Sequence, residues 1–84
     1  MATKQVSSAW ELATSSATFS VQCVSAQDGE VKRMPTGTPP AVGETGNKLA
    51  DTQVADQDNL GGTGGYIYIR SWGGSSLQAS FQVD

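Results

Sequence analysis

Apolar and polar residues alternate with a period of two along much of this chain. The clearest run is Leu77 to Val83, where Leu77, Ala79, Phe81 and Val83 share one side and Gln78, Ser80 and Gln82 the other. Such alternation marks a strand buried on one face and wet on the other. Tyr66 to Trp72 alternates differently: Ile67 and Ile69 form one apolar side, opposite a row of Tyr66, Tyr68, Arg70 and Trp72. With Gly73-Gly74-Ser75-Ser76 between them, the two runs predict a β-hairpin over Tyr66–Asp84.

The same period recurs upstream. Trp10 and Leu12 flank Glu11 in a short run that ends at Thr14-Ser15-Ser16. In Ala17 to Ser25, Phe19, Val21 and Cys23 face one way, and Thr18, Ser20 and Gln22 the other. Asp28-Gly29 is a dipeptide preferred in tight hairpin turns, so Glu30 to Met34 is expected to return as a strand. Two long loops are expected, at 36–47 and 56–65, because prolines and glycines crowd them; the first is read as crossing between sheets. Residues 48–54 are read as a short strand or turn. Only Asn47 to Asp56 has room for a helix, and its pattern fits neither period well. Residues 1–5 are a flexible arm or an edge strand. The prediction is a single all-β domain over residues 1–84, a small antiparallel sandwich or barrel of about six to seven short strands.

At 84 residues the chain has room for one core, and that core is thin. Folds this small lean on disulfides, metals or self-association. Cys23 is the sole cysteine and there is no histidine, so an internal disulfide is excluded and neither metal nor cofactor is expected. Self-association or docking on a larger body is the expected supplement, with Cys23 pointing into the core as a small apolar group. The net charge is −3 and five basic residues are scattered, whereas nucleic-acid binders gather positive charge on one face. Nucleic acid is therefore not an expected partner. No apolar run reaches the length of a membrane span, and no leader-like segment opens the sequence. Synthesis in a reducing cytoplasm is the expectation.

Catalysis lacks its usual general base, since no histidine is present. Asp51, Asp56 and Asp58 fall in the most loop-like stretch, where carboxylates are ordinarily solvated. Asp56-Gln57-Asp58-Asn59-Leu60-Gly61 begins like a calcium loop, but the fifth position is Leu60 and the twelfth is Ile67, neither of which offers a side-chain oxygen. The glycines from Gly61 to Gly65 run into Tyr66 and a strand, without the Lys-Ser/Thr and helix of a phosphate-binding loop. An enzyme is not expected. The candidate binding residues are Tyr66, Tyr68, Arg70 and Trp72, whose types are enriched at interface hot spots.

Several segments resemble small virion structural proteins of tailed bacteriophages, of the head-decoration, head-fibre or tail-associated type. They are Val6-Ser-Ser-Ala-Trp10-Glu-Leu12, Phe19-Ser-Val21-Gln-Cys23, the Gly37 to Ala41 loop with Lys48-Leu49, and Gly64-Gly-Tyr-Ile-Tyr-Ile-Arg-Ser71. The resemblance implies a β-sandwich subunit, frequently a trimer, docked on a capsid or tail and found in the virion. A capsid decoration protein is the functional expectation. The competing expectation is a carbohydrate- or receptor-binding module, with Tyr66, Tyr68 and Trp72 stacking on sugar rings.

Overall fold

A computed structural model describes residues 2–16, 18–24, 27–50, 52–56, 60 and 65–84. Asp51, Asp58, the glycines at 61–64 and most of the calcium-loop-like segment lie outside that set. Eight strands form among the described residues: β1 (Ala2–Val6), β2 (Glu11–Thr14), β3 (Ser20–Cys23), β4 (Gly29–Met34), β5 (Asn47–Leu49), β6 (Val54–Asp56), β7 (Tyr66–Ser71) and β8 (Ala79–Val83). They make two antiparallel four-stranded sheets packed as a sandwich. Sheet A has the order β1-β8-β3-β6 and sheet B the order β2-β7-β4-β5. No helix among the described residues is long and apolar enough to cross a membrane.

The core lies where the inward sides of the two sheets meet. Val21, Cys23, Ala79 and Phe81 come from sheet A, and Val31, Leu49, Ile67 and Ile69 from sheet B, all buried. Val21, Cys23, Ile67, Ile69, Ala79 and Phe81 belong to the apolar sides read from the period-two pattern, whereas Leu77, read on the same side as Ala79 and Phe81, precedes β8 and is exposed. Cys23 is fully buried and its thiol donates to the Gln27 carbonyl at 3.1 Å. Residues 2–6 form an edge strand rather than a free arm, and the segment with room for a helix holds β5 and β6 instead.

The connections differ from the expectation. β7 and β8 are not a hairpin: one belongs to sheet B, the other to sheet A. Between them Trp72–Gly74 makes a single 3-10 turn, with Gly73 and Gly74 at φ 68 and 75. Two successive left-handed residues swing the chain across the sandwich, which only glycine does without strain. Ser71 Oγ, fully buried, donates to the Leu77 carbonyl and ties the two sides of this arch. Asp28-Gly29 likewise links β3 of sheet A to β4 of sheet B. Gly29 is needed there for a close approach, because a Cβ on it would come within 2.8 Å of Phe81 Cε2. Conversely, the 35–46 loop does not cross between sheets; it joins β4 and β5, which are neighbours in sheet B.

The two outer faces have opposite character. On sheet B, Lys48 sits opposite Glu30 and Glu30 opposite Arg70. On sheet A the cross-strand rows read Thr3–Gln82–Gln22–Val54 and Gln5–Ser80, with Ser20 opposite Asp56 at one end. Sheet A thus turns an almost uncharged face outward.

Candidate functional site

The candidate row lies on β7, the strand that sheet B holds between β2 and β4. Because Ile67 and Ile69 are drawn into the core, Tyr66, Tyr68 and Arg70 must point to the outer face. The 35–46 loop passes over that face and acts as a strap. Tyr68 is 4% exposed and donates its hydroxyl proton to the Gly37 carbonyl at 2.7 Å. Arg70 is 3% exposed, and its surroundings account for that burial.

Arg70 Nε donates to Glu30 Oε1 at 2.6 Å, within an ion pair whose carboxylate is fully buried. Its two terminal nitrogens donate to the Val42 and Glu44 carbonyls of the strap, each at 2.8 Å. The other Glu30 oxygen accepts from the Gly46 N–H. The guanidinium stacks on Trp10 at 4.4 Å from the ring centroid, and Gly74 leaves room for it beside the arch. A planar cation with donors in a fixed fork suits this task, since it reaches three acceptors at once and offers a face to an aromatic ring. The result is a clasp that fastens the strap to sheet B. Among the described residues the Nε1 of Trp10 has no hydrogen-bond partner, and its ring is held there by stacking and packing.

The four residues therefore separate. Tyr68 and Arg70 are covered by the chain's own strap, which corrects the expectation that the row is exposed along its length. Tyr66 is half-buried at one end. Trp72 lies beyond β7 in the 3-10 turn, 39% exposed, with its N–H donating to the Asp28 carbonyl at 3.1 Å. Lys48 Nζ stands 5.6 Å from the Trp72 ring centroid and 3.3 Å from Asp28 Oδ2. This corner brings an aromatic ring, an ammonium and a carboxylate together at the surface.

Sequence reasoning missed Glu30 and Trp10. A signal existed for Glu30: it falls within a stretch expected to be a strand, where a carboxylate can meet a strand arginine. Positive charge is largely matched inside the chain, as Lys32 also lies 3.9 Å from Glu44. Open grooves beside β5 are lined, among the described residues, by apolar Val31, Leu49, Val54, Ala55 and Leu60 together with Lys32, Arg33 and Lys48. Among the described residues no group of three or more His, Cys, Asp or Glu is placed to hold a metal ion.

No family model matches this chain, and neither a curated protein nor a solved structure matches it.

Proposed function

We propose that this chain is a structural component of a bacteriophage virion, a decoration subunit bound to the outer shell of the capsid after synthesis in the host cytoplasm. The observation that carries the reading is the internal use of Arg70. It, Glu30, Tyr68 and Trp10 hold the strap, so the most chemically capable side chains serve the architecture. What faces outward is a small sandwich with one broad, nearly uncharged face and an exposed tryptophan at a corner. Such a body suits passive attachment to a larger protein assembly, without catalysis or cofactor. The segmental likeness to tailed-phage head proteins favours a capsid as that assembly, and self-association belongs to the same reading.

Gene neighbourhood gives the first check, with a major capsid or portal gene expected beside this one. Shells assembled from that capsid protein are then mixed with the purified chain and sedimented. Saturable co-sedimentation at a fixed number per shell subunit is expected. A chain left in the supernatant at every concentration overturns the proposal.

The Trp72–Lys48–Asp28 corner favours a second reading, a carbohydrate- or receptor-binding module of a phage tail or fibre. Sugar rings stack on exposed aromatics while flanking polar groups meet their hydroxyls. Reproducible glycan-array binding abolished by Trp72→Ala would select this reading over decoration; a blank array removes its carbohydrate form.

A further inference from the structure

We infer that the outer face of sheet A is a self-association surface, whose occupant is the same face of a second copy of this chain related by a two-fold axis. The inference goes beyond the virion reading, and its test needs no capsid.

The starting point is where charge is placed. Glu30, Lys32, Glu44, Lys48 and Arg70 all lie on the outer side of sheet B or on its strap. The outer rows of sheet A instead carry threonine, serine and glutamine, with Gln82 and Gln22 paired at the middle. Two exposed valines interrupt this polarity: Val54, 48% exposed beside Gln22, and Val24, 37% exposed, whose N–H continues the β3–β8 ladder to the Ser80 carbonyl. Soluble surfaces normally intersperse charges of both signs. A sheet face with glutamine at its centre and exposed aliphatic groups at its side can be covered without stripping water from an ion.

Chemistry then selects the occupant. A glutamine amide both donates and accepts; Gln22 Nε2 already donates to the Thr52 carbonyl at 3.0 Å, which leaves Gln82 beside it to meet its own copy, as the isologous geometry of a two-fold requires. Among the described residues the acids of this face stand at one end, at Asp56 and Asp84, which flank Ser20. A two-fold lying in the plane of the interface, perpendicular to the strands, sets each acidic end against the partner's neutral end and keeps like charges apart. Edge-to-edge joining is disfavoured. The β1 edge carries Lys4 on its inward side, paired with the core residue Phe81. β2 is interrupted between Leu12 and Thr14, and β5 and β6 are three residues each. Inward charge, irregular pairing and shortness are the recognised guards of a sheet edge.

Four strands about 4.8 Å apart and about five residues long make a face of about 300 Å². A stable interface covers about 800 Å² per partner, so the pairing is weak in dilute solution and fills when copies are crowded, as on an array. It also closes at two, rather than at the three that the virion resemblance implies.

Sedimentation equilibrium from about 20 µM to about 1 mM spans the relevant affinities. The weight-average mass is expected to rise toward twice the monomer, while Gln82→Lys lowers the association constant at least tenfold. Mixing Gln82→Lys with Gln82→Glu is expected to restore association. Should the variants fail to fold, dilution of the wild-type chain followed by amide chemical shifts tests the same contact, with changes expected on the outer rows of sheet A. A wild-type chain monomeric throughout overturns the inference. So do a limiting mass of three, association unaltered in Gln82→Lys, or dilution shifts confined to the strap and Trp72.

Discussion

Replacing Arg70 by methionine tests the clasp most directly. The substitution keeps a long, unbranched stem for Trp10 to pack on, and removes the cation that faces Glu30, Val42 and Glu44. The Val42 and Glu44 carbonyls belong to exposed strap residues and turn to water at little expense. Glu30 has no such recourse: it is fully buried, and only the Gly46 N–H remains to it. Removing one partner of a buried pair destabilises by about 3–5 kcal/mol, because the other charge is left uncompensated. A chain of 84 residues at about 0.05–0.15 kcal/mol per residue has a total stability of about 4–13 kcal/mol. The substitution therefore removes a large share of it. Replacing both partners, with Arg70→Met and Glu30→Leu together, leaves no orphan charge and is expected to recover most of the loss. Urea unfolding followed by far-UV circular dichroism measures the four corners of this cycle. The reasoning fails if Arg70→Met alters stability by less than about 0.5 kcal/mol, the range of ordinary surface substitutions. It fails equally if the double variant is as unstable as the two single losses added.

Gly29→Ala pushes a methyl into the ring of Phe81 and should lose at least the ~1–3 kcal/mol typical of overpacking, seen as a lowered melting temperature. The two tryptophans should separate: Trp10→Ala costs about 3 kcal/mol or more of stability, whereas Trp72→Ala, at a 39% exposed site, costs under about 1 kcal/mol. Equal losses would contradict the burial difference between them. Cys23 is sealed in the core, so a thiol reagent should react on the order of 100-fold more slowly in the native protein than in urea. A native thiol that labels freely would mean that sheet A opens near β3.

Which residues enter the core was legible from the sequence, because side-chain period and burial are the same physical fact in a half-buried strand. Ile67, Ile69, Ala79, Phe81, Val21 and Cys23 all fall on apolar sides of alternating runs, and all are buried. Sheet membership was not legible. Gly73-Gly74 and Asp28-Gly29 suit tight hairpins as readily as they suit arches between two layers, and local turn chemistry does not distinguish them. The packing of Phe81 on Gly29 decides one case, and that contact joins residues far apart in the chain. The candidate row shows the same limit. Arg70 was recognisable as a cation in need of a partner, but the register that sets Glu30 opposite it pairs positions 40 apart. The strap read simply as a proline- and glycine-rich loop, since its role rests on backbone carbonyls, which carry no residue-type signature.

The order of strands across the sheets governs when the sandwich becomes possible. β7 separates β2 from β4, and β8 separates β1 from β3, so one of the two inner strands of each sheet comes late in chain order, after the other six described strands. Until both leave the ribosome, β1 and β2 have no neighbour to pair with, and the apolar sides of β3 and β4 have no ring of Phe81 to close on. The nascent chain can form the β4–β5 and β3–β6 pairings, but neither layer. Completion joins Ala2 to Val83 across nearly the whole sequence, and pairings of such separation are slow to form. Folding is thereby deferred until β7 and β8 have been made, and the intermediate that precedes them lacks one inner strand from each sheet.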